Sequence, residues 1–220
     1  GPPVPVPLTE DAPQRQKPSI HGPERDKRLV EEVVSSDPNF PATILRFPAV
    51  YGPGTYRRND WIKRMLDGRP VILLGTGEAG FRFSHGYAQD VATSIMLAAT
   101  NDRAAARVYN VGELNVPTER ERLERFAHVA GWKGRIIEAP DELIPGGDGL
   151  PWPGQDWLLD TTRIRAELGY QEMTAESEAI GATIEWQRTH PNPRMDPTRF
   201  DYEAEDGVVA GVECSARACH

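Results

Sequence analysis

Apolar residues recur at helical spacing in several stretches of this chain and run together in the short segments between them. Leu29, Val30, Val33 and Val34 form one face of a helix that starts near Glu24 and is stopped by Pro38. Residues 42–47 (ATILRF) are a short β-rich run, and the Pro and Gly of 48–54 mark the loop that follows. Asn59 or Asp60 is placed to cap a helix carrying Trp61, Ile62, Met65 and Leu66, which Gly68 ends. Residues 71–74 predict a strand, 75–80 a glycine-rich hairpin turn, and 81–84 a second short strand. Asp90 is read as the N-cap of a helix to Thr100, with Val91, Ile95, Met96 and Ala99 inward. A strand over 107–111, a helix over 117–130 striped by Leu123, Phe126 and Val129, and a brief strand over 135–138 follow. Residues 161–168 and 175–188 are the last helices. Strands alternating with helices predict an α/β chain.

The ends break this pattern. Residues 1–20 are proline-rich and polar, which suits an extended lead-in, and 191–220 lose all apolar period and are expected to be disordered. The organised region is therefore 21–190, a size suited to one domain within the 220 residues. A net charge of −8 argues against a nucleic-acid polymer as partner, because a phosphate backbone needs clustered Lys and Arg. No apolar run approaches the roughly 20 residues of a membrane helix, and no signal-peptide pattern opens the chain. Cys214 and Cys219 make no disulfide framework, and with His220 they fall short of a zinc ligand set. The expected compartment is the cytoplasm.

Gly75-Thr-Gly77-Glu-Ala-Gly80 has the G-x-G-x-x-G spacing of a dinucleotide loop. That loop works by admitting a pyrophosphate to the N-terminus of the next helix. Here Phe81-Arg82-Phe83-Ser84 follows and alternates like a strand, so the motif lacks its setting.

In order along the chain come Lys27-x-x-x-Glu31, then Arg46-Phe-Pro48-Ala49-Val50-Tyr51-Gly-Pro-Gly54, Arg82 with Tyr87-Ala-Gln-Asp90-Val, Val108-Tyr-Asn110-Val-Gly112, and Leu159-Asp-Thr-Thr-Arg-Ile-Arg-Ala-Glu-Leu168-Gly-Tyr170. This series resembles the C-terminal part of the extended short-chain dehydrogenases, the NAD-dependent epimerase/dehydratase family. The resemblance covers about 7–189 and includes the lead-in Pro7-Leu-Thr-Glu-Asp-Ala-Pro13. It implies the last part of a Rossmann-type parallel sheet with a small substrate-binding α/β subdomain. The resemblance also implies that the family's N-terminal βαβ half is missing, as in a truncated chain or one complemented by another. The implied chemistry is NAD- or NADP-dependent epimerisation, dehydration or reduction of a nucleotide sugar; the alternative is a non-catalytic binding or scaffold module derived from that family. By resemblance, Pro48, Ala49, Val50 and Tyr51 line the nicotinamide end of the cofactor. Arg82, with Arg57, Arg58 and Tyr87, is placed for the substrate and its diphosphate, although Arg82 stands one residue further from Asp90 than in relatives. In the family the helix matching 24–36 also contributes to a dimer-forming helix bundle, so a homodimer, larger oligomers or aggregation are expected.

The proton-transfer pair departs from the family. Tyr-x-x-x-Lys places a tyrosine before a lysine that lowers its pKa, and counting back from Lys27 reaches Pro23. His21 is the neighbouring side chain suited to proton transfer near neutral pH, so Lys27 and His21 are the catalytic candidates. With no glycine loop ahead of a helix, this chain alone is expected to bind NAD(H) and NADP(H) far more weakly than an intact relative. Titration calorimetry at millimolar cofactor checks this, and a micromolar dissociation constant would refute it.

Overall fold

In the computed structural model, which describes residues 4–14, 26–146 and 154–218, strands and helices alternate as an α/β chain. The chain separates into two compact units.

The first unit comprises residues 1–50, 84–115 and 157–174. Its centre is β1 (Ile44–Arg46) running parallel to β5 (Val108–Asn110), with Ile44 opposite Val108 and Arg46 opposite Asn110. Parallel neighbours need a crossover between them, and α4 (Ala88–Thr100) lies in that crossover. Val91 of α4 packs with Tyr109, Val111, Tyr170, and Ile164 and Leu168 of α6 (Thr162–Leu168) in one core. Ile95 and Met96, expected inward, are 48% and 60% exposed. Ser94, Leu97 and Ala98 take their place. A four-residue step from Val91 leads to Ile95 and a three-residue step to Ser94, and Ser94 can be buried because its hydroxyl donates to Val91 C=O at 2.6 Å.

Asp90 is not a helix cap. Tyr87 holds the cap position, and Asp90 lies in the first turn, 3% exposed. Its Oδ1 accepts from the backbone N–H of Met173 (3.0 Å) and Thr174 (3.3 Å). In the lead-in, Leu8 N–H donates to Leu158 C=O and Leu8 C=O accepts from Asp160 N–H (2.6 and 2.8 Å), while Ala12 N–H closes a turn on Thr9 C=O at 3.1 Å. β2 (Ala49–Tyr51) pairs with β4 (His85–Tyr87). Helix α1 (Lys27–Val34) starts at Asp26, whose side chain accepts from Arg28 N–H. Leu29, Val30 and Val33 of its apolar face are exposed.

The second unit comprises residues 51–83, 116–156 and 175–220. β3 (Val71–Gly75), buried at every position, runs parallel to β6 (Arg135–Ala139). The apolar stripes of α2 (Asn59–Leu66), α5 (Glu119–Val129) and α7 (Glu176–Thr189) meet in a core containing Ile62, Leu123, Phe126 and Ile180. Thr118 starts α5 through a capping box with Glu121. Arg58, not Asn59 or Asp60, stands at the cap of α2. Because β3 pairs with a parallel strand, the chain after Gly75 does not fold straight back. Residues 75–80 therefore give the short helix α3 (Thr76–Gly80) in place of a hairpin turn. Arg82 makes only an isolated antiparallel bridge to Thr118 where a strand over 81–84 was expected.

Residues 191–220 were expected to be disordered, yet Tyr202–Ala218 form α8. Its anchor is charged: Glu205, 2% exposed, accepts from Arg64 Nε at 2.9 Å and Nη2 at 2.5 Å. A buried ion pair replaces an apolar stripe, so hydrophobic periodicity does not report this helix. Among the described residues no helix is long and apolar enough to cross a membrane, and no group of acidic, His or Cys side chains could hold a metal.

Replacing Asp90 with alanine leaves two N–H groups at 173–174 without an acceptor. We expect a loss of about 1–3 kcal/mol of stability, read as a lower urea midpoint with an unchanged slope.

Candidate functional site

Each unit carries part of the residue set singled out in the sequence. In the first, Pro48 precedes β2, and Ala49 N–H donates to Ser84 C=O at 3.1 Å. A Cβ at Gly86 would lie 3.0 Å from Pro48 Cγ and 2.8 Å from Val91 Cγ2, so the glycine permits this close packing. Ala49 and Tyr87 are buried and Val50 packs on the core. Lys27 is the exposed first residue of α1, and His21 lies outside the described residues. Arg46 is structural: it donates to both Glu31 carboxylate oxygens (2.9 and 2.7 Å) and to Glu10 C=O (2.9 Å). The Glu31 hydrogen bond raises its pKa further above the usual range. Asn110 is equally internal, giving its N–H to Glu10 (2.8 Å) and its Nδ2 to Leu8 C=O (2.8 Å). Arg165 donates to Gly112 C=O at 3.0 Å and to Glu172, tying the Asn110–Gly112 turn to α6.

In the second unit the loop after Tyr51 is fixed by Gln187 of α7, only 4% exposed. Gln187 Nε2 donates to Thr55 C=O (3.2 Å) and Arg57 C=O (3.0 Å), and its Oε1 accepts from Asn59 Nδ2 (3.2 Å). Tyr51 is buried, its ring 6.2 Å from that of Phe126.

Arg57 is exposed, whereas Arg58 turns inward. Arg58 has φ of +62°, a left-handed conformation uncommon outside glycine. Its guanidinium pairs with Glu119, lies 3.9 Å from Glu78 and sits 4.2 Å above the Trp61 ring. Glu119 is fully buried and also 3.4 Å from Arg122, itself 2% exposed. Beside them Asp141 Oδ2 accepts from Gly77 N–H at 2.9 Å. Burial, with Asp60 and the other carboxylates nearby, pushes the Glu78 carboxyl up to about 7.

This cluster of Arg58, Glu78, Glu119, Arg122 and Asp141 had no motif to announce it. Its one sequence signal is the capping box, which places Glu119 in the first turn of a helix without telling it from the exposed Glu121. Arg82 is exposed at the start of its segment, with its N–H donating to Asp156 Oδ1 at 3.0 Å. Among the described residues no ion pair engages the guanidinium of Arg57 or Arg82.

Residues 75–80 do not fit a pyrophosphate. Gly77 and Gly80 lie within α3, and the Gly77 N–H that would face a phosphate is taken by Asp141. A Cβ at Gly75 would fall on the Asp141 carboxylate, so Gly75 makes room for that side chain and for no ligand.

Removing the buried acid should cost much more than removing the exposed base. Glu119→Ala strands two buried guanidiniums and is expected to lose about 3–5 kcal/mol, while Arg82→Ala stays within about 0.5 kcal/mol of the parent chain. Guanidinium chloride unfolding of both variants compares them.

Residues 24–112 match the NAD dependent epimerase/dehydratase family. A dTDP-glucose 4,6-dehydratase of Streptomyces niveus is 30% identical over 145 residues, covering 63% of this chain and 39% of that relative. The chain thus spans about two-fifths of its length. A second dTDP-glucose 4,6-dehydratase, from Streptomyces griseus, is 27% identical over 143 residues, 64% of this chain and 40% of the relative. In fold, the chain is similar to RMD from Pseudomonas aeruginosa, solved with NADPH (TM-score 0.66, 17% identity, covering 84% of this chain and 61% of that one). It is also similar to DesIV, a dTDP-glucose 4,6-dehydratase of Streptomyces venezuelae solved with NAD (TM-score 0.63, 20% identity, covering 83% and 55%). Over residues 24–112, this chain is thus similar to the NAD-dependent epimerase/dehydratase family.

Proposed function

We propose that this chain serves an NAD(P)-dependent reaction at a sugar carbon of a nucleotide-linked sugar, and that its second unit carries the contacts to the diphosphate. The observation that carries this reading is the contrast among three arginines. Arg58 is neutralised internally by Glu119, while Arg57 and Arg82 present guanidiniums without an ion-pair partner among the described residues. A diphosphate needs fixed cationic donors, and arginine supplies paired N–H groups in one plane. The surplus of acid over base in the chain makes such a local site selective, since the remaining surface repels the ligand. Arg58 then positions the loop that holds Arg57 and is not itself a phosphate contact. The relatives named above include dTDP-glucose 4,6-dehydratases, which supports the nucleotide-sugar class. In the same reading Pro48, Ala49, Val50 and Tyr51 line the nicotinamide end of NAD or NADP, with Lys27 beside the ribose and Tyr87 toward the sugar.

A second reading, a binding module without chemistry, is favoured by Pro23 standing four residues before Lys27. It is also favoured by the occupied Gly77 N–H, which removes the one glycine motif in the sequence from cofactor binding. Both readings share the ligand. Nucleotide sugars are to be screened by ligand-observed NMR against the parent chain and Arg82→Ala. A charge-assisted arginine–phosphate bond is worth about 1.5–3 kcal/mol, so the variant is expected to bind about tenfold to a hundredfold more weakly. Equal binding by the two proteins would remove Arg82 from the site, and no binding at millimolar ligand would refute the proposal.

A further inference from the structure

The carboxylates around Arg58 outnumber the cations that can neutralise them at close range. Glu119 takes the guanidinium first, and Arg122 backs Glu119 at 3.4 Å. Glu78, on α3, is left with a share of Arg58 at 3.9 Å. The charged groups facing Glu78 are Arg58 and Asp60 from α2, Glu119 from α5 and Asp141 from the turn at Asp141–Leu143. Three of these four repel a second negative charge. The Glu78 side chain is only 19% exposed, so water does little to screen them. Each of these terms favours a proton on Glu78, and Arg58 alone opposes it.

We propose that Glu78 is a proton-operated counterion of Arg58: ionised, it shares that guanidinium with Glu119; protonated, it gives up that share. The switch belongs to the cluster and stands whether or not a nucleotide sugar binds nearby. Its place in the fold gives it leverage. Arg58 occupies the left-handed cap position of α2, next to the exposed Arg57, and Glu78 rides on the short helix α3 whose Gly77 N–H is fixed by Asp141. A proton at Glu78 thus acts on the start of α2 and on α3 together.

Glu78 has an ordinary carboxyl value of 4.5 and reaches about 7 in the fold, so the folded chain holds this proton more tightly than the unfolded chain. The stability it contributes is fully present below the unfolded value and is lost as pH rises to about 7. The test is a pH titration of the full chain carrying ¹³C-labelled glutamate and ¹⁵N-labelled arginine, with the Glu78 carboxyl resonance assigned by its absence in Glu78→Gln. The expected result is a Glu78 midpoint near 7, with the Arg58 Nε resonance moving at the same midpoint. An ordinary Glu78 midpoint overturns the proposal, and so does an Arg58 signal that stays still while Glu78 titrates. Thermal melts give an independent arm: the parent chain is expected to lose melting temperature between about pH 5 and about pH 8, and Glu78→Gln is expected to lose less. Equal losses in the two proteins count against the switch.

Discussion

A carboxylate buried away from water must find a cation or a proton, and Glu119 sits at 0% exposure in the first turn of α5. The unpaired charge would cost several kcal/mol, so the surrounding elements are arranged to answer it. Arg122, one turn along the same helix, supplies one cation. Arg58 supplies the other and accepts a left-handed backbone to do so, a conformation that costs about 1–3 kcal/mol for a non-glycine residue. Trp61 stacks under the guanidinium and Gln187 holds the carbonyls of the preceding loop. The start of α2 is therefore set by a charge on α5, with local helix propensity playing the smaller part.

The first unit solves a related problem with neutral partners. Its strands are short, three residues each in β1 and β5, and leave many backbone groups at their ends. Carboxylates take up backbone N–H groups throughout this unit. Glu10 receives Asn110 N–H, and Asp90 receives the N–H groups of 173 and 174. Glu172 receives Leu114 N–H while also pairing with Arg165. Segments distant in sequence are joined this way, the lead-in to Asn110 through Glu10.

That division explains which parts of the molecule were legible in the sequence. Elements whose stability rests on an apolar stripe, such as α5, α7 and β3, appear where periodicity places them, within a residue or two at the ends. Elements held by charge do not. Helix α8 looks like disordered chain because its buried contact is Glu205, and Asp90 looks like a cap because its true partners lie more than eighty residues away. The family motifs were legible as strings: residues 48–54 and 108–112 carry the resemblance. Arg46, just before the first, and Asn110, within the second, are internal braces. The carboxylate cluster was not legible at all, since an isolated Glu followed by Arg on a helix usually describes a solvated face.

Arginine reads ambiguously in sequence for the same reason. Its guanidinium serves an internal carboxylate and an external phosphate with the same planar donors. Position in a motif does not separate the two uses; what separates them is whether a carboxylate already sits within reach. Arg46, Arg58, Arg64 and Arg165 each have one, and each braces a loop or helix end. Arg57 follows the same glycine-rich loop as Arg58, yet it faces outward with its carbonyl fixed from behind by Gln187. A fixed backbone reduces the entropy lost when a long side chain is immobilised on a ligand. The buried neighbour thus does more than neutralise Glu119. By anchoring the loop at Arg58, it limits the backbone conformations open to Arg57.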